Sequence, residues 1–375
     1  MDLNLSAEQR ELRDTARKFL TDKFDRGDQP DRTNGSFDHR ANYSSMAALG
    51  WTGLTIADEY GGAGGGLVDL AIVVEETGRA GAVTPLIVSM AYGATAALTA
   101  ADPSAHQELL DGVTGGSAIV TLGNEGGRLG RDEWAAKRFA GQRSSADAWV
   151  FSGRSSLVAF AHEADLLLTA VDLEGRGPSL ALVPASRRGV TVSRQRVIGG
   201  EPRSAVAFDQ VRLEGSDILD LGDLDPPGVL DYASDVASLL YTAEAVGAAE
   251  AALQLAVAHA KIRVQFGRPI GSFQTVSNRC TDMRLGVDAA RLLCWEAVWS
   301  LEARQPYSAE RVAVAKSYMN SIAQTVITNA LQVHGGIGYS TEYPLHIYIR
   351  LLKAYQLNFG TSRDTLAKVA TCLGI

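Results

Sequence analysis

The chain has 375 residues, of which 46% are apolar and 21% charged, and it carries a net charge of -8. That length holds two or three domains around a large core, and the acidic balance excludes the basic face a nucleic-acid partner needs. Three unpaired cysteines (Cys280, Cys294, Cys372) and six scattered histidines suggest neither a disulfide framework nor a metal site. No run reaches the ~18 apolar residues of a membrane span, and the N-terminal stretch lacks the apolar core of a signal peptide. A reducing, cytoplasmic setting is expected.

Residues 1–115 read as helical. Ser6 with Gln9 forms a capping-box pattern, and Leu5, Leu12, Ala16 and Leu20 supply the inner stripe of the first helix. The glycine cluster Gly61–Gly66 invites a phosphate-cradle reading, but it lacks the Gly-Lys-Ser/Thr that a P-loop needs. Leu67 to Ala80 reads as the next helix, with Glu75 and Glu76 on it, and Val83 to Ala101 as a buried one.

Residues 116–222 change character. Short β-rich runs at 117–122, 148–152, 166–171, 179–183, 190–192 and 205–208 are broken by Gly, Pro, Asp and Ser, which predicts a small β-barrel or sandwich. Leu219 to Gly228 reads as a linker. Residues 223–375 return to helix. The stretch Val236 to Ala260 is almost wholly small and apolar, as in the buried helix of a bundle. Helices at 275–303 and 308–333 complete a four-helix bundle. The fold class is therefore α+β: helical, β, helical.

Two motifs carry chemistry. Arg263-Val264-Gln265-Phe266-Gly267, continuing to Gln274, places an arginine fork at a helix end, suited to a pyrophosphate, with an amide further on. Leu331 to Thr361 combines a helix end, the Gly335-Gly336 turn, an aromatic-rich helix and a second glycine stop at Gly360. Together these segments resemble the acyl-CoA dehydrogenase family across essentially the whole chain. The resemblance implies FAD bound between subunits of a homo- or hetero-tetramer, an acyl-CoA substrate and an electron-transfer acceptor protein. It implies that Arg263, Phe266 and Gln274 contact the adenine and pyrophosphate side, that Gln332, Gly335 and Gly336 approach the same cofactor from a neighbouring subunit, and that Thr361 and Thr121 lie near the flavin. The implied reaction is α,β-dehydrogenation of the thioester, in which a glutamate removes the α-proton and the β-hydrogen leaves as hydride.

The chain departs from that pattern. Phe359 stands where the family's glutamate precedes Gly360-Thr361. Ala237 stands at the alternative base position on the first bundle helix, and Ser238 at that of a CoA-binding arginine. Leu157 replaces a flavin-packing tryptophan, and the loop Thr121 to Gly127 keeps only the threonine, an acid and glycines. Glu244, about 20° around the helix and roughly 10 Å along it from Ala237, is the candidate catalytic acid. A lone carboxylate in an apolar helix is costly, and so marks either a functional group or a buried pair. Asp235 is a second candidate, and Glu342 reads as structural. Three readings follow: one subunit of a heteromeric enzyme, a self-sufficient homotetramer using Glu244 or Asp235, or a non-catalytic acyl-CoA-binding or scaffolding subunit.

Overall fold

A computed structural model describes residues 5–24, 38–124 and 138–375. Helix α1 (Ala7–Lys23) opens on the expected box: the Gln9 amide donates to Ser6 Oγ, and the Ser6 amide donates to Gln9 Oε1, both at 3.1 Å. Ala16 and Leu20 are fully buried. Helix α2 (His39–Ala47) leads to the glycine segment, and α3 spans Leu67–Ala80 as the sequence predicts. The apolar run that follows forms α4 (Leu86–Leu98), which widens to a π-helical turn over Ser89–Ala94. Helix α5 is Gln107–Thr114.

The middle region is one seven-stranded mixed sheet, ordered β1 (Val120–Leu122), β4 (Leu166–Leu173), β2 (Phe139–Ser145), β3 (Ala148–Ala159), β7 (Arg203–Glu214), β6 (Val190–Gln195), with β5 (Gly177–Pro184) on the other edge of β4. β1 and β2 run parallel to β4; the other pairings are antiparallel. β2 carries no apolar alternation, because most of its residues are exposed, so periodicity alone passes over it.

Helix α6 runs from Pro226 to Ile262 and begins inside the segment read as a linker, with two prolines in its first turn, where a missing N–H costs nothing. It is long and apolar enough to cross a membrane, yet 89% of its apolar window is buried inside the bundle. Helices α7 (Gln274–Glu302), α8 (Ser308–His334), α9 (Leu345–Tyr355) and α10 (Ser362–Cys372) complete the C-terminal region. Between α6 and α7 the chain makes a hairpin, β8 (Val264–Gln265) with β9 (Arg268–Pro269). Its two turn residues, Phe266 and Gly267, both have positive φ (50° and 77°), as a tight two-residue hairpin turn demands. The helix thus stops at Ile262, and Phe266-Gly267 turns the hairpin rather than ending the helix.

The N-terminal and C-terminal helical regions meet where α3 crosses α6. A Cβ on Gly78 would stand 1.8 Å from the Glu244 carbonyl oxygen, and one on Gly247 would stand 1.8 Å from that of Glu75. Backbone therefore lies on backbone at this crossing. Around it, Arg291 Nε donates to Glu75 at 2.8 Å and its Nη2 to Glu250 at 3.1 Å, tying α3, α6 and α7 together. Glu76, 2% exposed, accepts from Arg17 and Arg79 at 2.6 and 2.5 Å. Because neither helix can yield at the crossing, Gly247→Ala should destabilise the fold by about 1–3 kcal/mol or more, read as a lower urea midpoint; an unchanged midpoint would show that the helices can slide apart.

Candidate active site

The turn that joins α9 to α10 places Phe359 and Gly360 in succession at φ 54° and 96°. Phenylalanine rarely adopts that conformation, so the backbone here is held by its surroundings. What holds it lies on α8. The Lys316 ammonium, 1% exposed, donates to Asn320 Oδ1 at 2.6 Å and to the Tyr355 carbonyl at 2.9 Å, and sits 3.8 Å from the centre of the Tyr355 ring. The Asn320 amide donates in turn to the Gly360 carbonyl at 3.3 Å. A lysine at the C-terminal end of α9 meets unpaired helix carbonyls. No carboxylate pairs with it among the described residues, and burial pulls its pKa down to about 7.

Phe359 packs against Tyr241 of α6, ring centres 5.5 Å apart. Tyr241, 6% exposed, donates a very short hydrogen bond to Glu201 Oε1. Arg203 Nη2 lies 2.5 Å from Glu201 Oε2, and Arg203 Nη1 donates to the Leu157 carbonyl at 3.2 Å. Glu201 and Arg203 stand at the entry to β7, so this cluster stitches the β-region to α6. Two cavities meet at Tyr241 and Asn358. One, of about 30 Å³, is bounded by Thr121, Leu157, Arg203, Tyr241 and Phe359. The other, of about 20 Å³, is bounded by Glu201, Glu244, Thr84, Tyr355 and Asn358. Each has room for about one water.

Glu244 reaches the second cavity and makes no hydrogen bond among the described residues. Removal from water, reinforced by the nearby negative charge of Glu201, pushes its pKa up to about 8. The structural-pair reading of Glu244 therefore finds no partner. Asp235 does find one: Lys368 Nζ lies 3.0 Å away, which makes it an interhelical tie. Ala237 is fully buried, and at Glu342 the backbone N–H donates to Ser340 Oγ at 3.2 Å.

The remaining sequence candidates fall into two groups. Thr121 (1% exposed) lines the first cavity with Phe359, while Thr361 caps α10, its hydroxyl donating to Asp364 at 2.8 Å. Arg263, Phe266, Gln274, Gln332, Gly335 and Gly336 are all solvent-exposed, at the far end of the bundle. There the stacked His259 and His334 rings, 4.8 Å apart, bring the ends of α6 and α8 together. His334 itself is buried and bonded to the Ala330 carbonyl at 2.7 Å, so it packs the helix end. Glu125, Gly126 and Gly127 of the Thr121 loop lie outside the described residues. No group of three metal-ligating side chains occurs among the described residues. Sequence reasoning missed Glu201, Arg203, Tyr241 and Lys316. The one available signal was Tyr241, a polar aromatic on an Ala/Leu-rich helix, four residues past Ala237 and three before Glu244.

This architecture has known counterparts. Residues 6–117 match the model of the acyl-CoA dehydrogenase N-terminal domain, and residues 234–372 that of the acyl-CoA dehydrogenase C-terminal domain. The probable acyl-CoA dehydrogenase YngJ of Bacillus subtilis is 29% identical over 376 residues, covering 96% of this chain and 97% of that protein. The structure of a glutaryl-coenzyme A dehydrogenase in complex with glutaryl-CoA superposes with a TM-score of 0.90 at 26% identity, covering 100% of this chain and 97% of that one. A chain of the Tcur3481-Tcur3483 steroid ACAD superposes with a TM-score of 0.85 at 27% identity, covering 98% of each. The chain belongs to the acyl-CoA dehydrogenase family of flavin oxidoreductases.

Proposed function

We propose that this chain is one subunit of an FAD-dependent acyl-CoA dehydrogenase that removes hydrogen from Cα and Cβ of an acyl-CoA thioester, and that it works beside a related chain. The observation that carries this reading is the Phe359–Tyr241 packing. The turn is built with its backbone geometry enforced by Lys316 and Asn320, yet it presents a phenyl ring where a carboxylate would remove the α-proton. A non-catalytic acyl-CoA-binding or scaffolding subunit is the second reading, and the same ring favours it. We assign an electron-transfer protein as the redox partner, as the resemblance implies.

The residues present fit FAD. At Gly335 (φ 63°) and Gly336 an added Cβ would meet nothing within 4 Å, so bare backbone is open to a ligand. Arg263, Phe266 (93% exposed) and Gln274 offer a guanidinium, an aromatic face and an amide on the same end of the bundle. At the other site, half-exposed Leu157 gives an apolar platform beside Thr121. Tyr241 and Arg263 are separated by roughly 33 Å along one continuous helix, too far for one dinucleotide to span, which supports a cofactor completed by a neighbouring subunit. When bound, the flavin accepts a hydride. What this chain's residues add is orientation at the far end and proton handling at the near end.

Glu244 is the group we assign to hold the α-proton. A carboxylate that takes up a proton near neutral pH is matched to that task. Two outcomes follow. The chain, expressed alone and with a co-expressed relative, should show flavin absorbance that bleaches with some member of an acyl-CoA panel, at least with the relative present; a colourless complex that bleaches with none would contradict the dehydrogenase reading. The raised pKa also has a stability consequence. Below pH 4.5 Glu244 is protonated folded or unfolded; as pH rises toward 8 the unfolded chain loses the proton first, so this group costs stability across that window. Glu244→Gln should therefore melt above wild type at pH 8, by on the order of a few kcal/mol at most, and show no such gain at pH 4; equal gains at both would remove the buried acid.

A further inference from the structure

The Glu244 cavity and the Phe359 cavity do not share Glu244. They share Tyr241 and Asn358. Of these two, Tyr241 is the one whose hydroxyl is bonded to a carboxylate of the Glu244 cavity, which marks a route for a proton between them. We propose that Tyr241 is a catalytic residue of this subunit and that Glu201 is its proton acceptor, the two forming a relay from the flavin-side cavity to Glu244. This rests on the dehydrogenase reading above.

The geometry supplies each link. Tyr241 and Arg203 both line the Phe359 cavity and donate to Glu201, a carboxylate lining the other; of the two, Tyr241 carries the hydroxyl that can accept one proton as it gives up another. Arg203 fixes Glu201 by its second oxygen, leaving Oε1 turned to the phenol. Glu201 and Glu244 then border the same water-sized space, where a single water can bridge two acids. Arg203 also grips the Leu157 carbonyl, so one guanidinium sets both the relay and the strand beside the flavin position.

The step balances as follows. The Cα–H bond breaks and its proton joins Tyr241 Oη while the phenolic proton moves to Glu201 Oε1. The Cα–H electron pair forms the Cα=Cβ bond, and the β-hydrogen departs with its own pair as hydride to the flavin, which is the oxidant. Glu201 then passes its proton to Glu244 in its ionised form, the form that predominates above about pH 8. Tyr241 cannot act as a free phenolate: burial, with Glu201 beside it, holds its proton well above the ordinary tyrosine range. It works only by giving up one proton as it receives another. This explains how a chain with Phe359 and Ala237 at both usual base positions can retain proton transfer.

The test uses the flavin-loaded protein, with its co-expressed relative if the relative is needed for flavin. It is incubated in D₂O with butanoyl-, octanoyl- and a branched acyl-CoA, and deuterium entering Cα is followed by NMR beside turnover. Tyr241→Phe removes one oxygen and keeps the Phe359 packing, so it should fold and bind flavin as wild type does. Its α-exchange should fall at least 100-fold, with KM changed much less than kcat. Glu201→Gln should lower exchange to a similar degree, and Glu201→Asp should recover part of it. Tyr241→Phe exchanging at the wild-type rate would overturn the relay alone, leaving the dehydrogenase standing. A wild-type complex that neither exchanges nor oxidises any thioester would overturn both.

Discussion

The architecture depends on a contact between two backbones. At Gly78 and Gly247, α3 and α6 approach so closely that a single methyl on either would collide with a carbonyl of the other helix. That approach welds the N-terminal helical region to the bundle. It also seals one side of α6 around Glu244, whose own carbonyl is the atom Gly78 accommodates. The ion pairs of Glu75, Arg291 and Glu250 lie beside the crossing, whereas Glu244 makes no side-chain hydrogen bond among the described residues.

A second constraint comes from the turn at Phe359-Gly360. Positive φ is costly at Phe359, though not at Gly360, and a buried lysine and a buried asparagine on α8 hold the turn. The residue at its tip, Phe359, has no acid–base chemistry. The turn still positions a side chain over the site; the side chain now packs on Tyr241. Under the proposed relay, proton chemistry falls to Tyr241 on α6 and Glu201 at the entry to β7. The reading as one of two related chains follows from this mixture of intact scaffolding and altered chemistry.

Much of the fold was legible because local and global signals agree. Ser6 and Gln9 cap α1 as their spacing implies, α3 has the bounds its flanking glycines suggest, and the apolar monotony of 236–260 does mark the central helix. β2 was not legible: Phe139–Ser145 is largely exposed and polar, so its strand state is imposed by β3 and β4 rather than by its own pattern. The start of α6 was hidden because Pro226 and Pro227 look like a linker and act as a first turn. For the site, Glu244 stood out as a charge in an apolar helix. Glu201 and Arg203 did not, since nothing in the local sequence reveals that β7 delivers them to Tyr241. The lack of a partner for Glu244 and the pairing of Asp235 with Lys368 separated two acids that the sequence left open.

The most direct measurement is an experimental structure of this chain, with its flavin and any partner chain, bound to an unreactive acyl-CoA analogue. The account places the acyl Cα about 3–3.5 Å from the Tyr241 hydroxyl oxygen, with Phe359 packed against the acyl group and Glu201 still accepting from Tyr241. An acyl Cα seated instead against a carboxylate of another chain, with Tyr241 turned away from it, would contradict proton transfer by this subunit and leave it the scaffold of the pair.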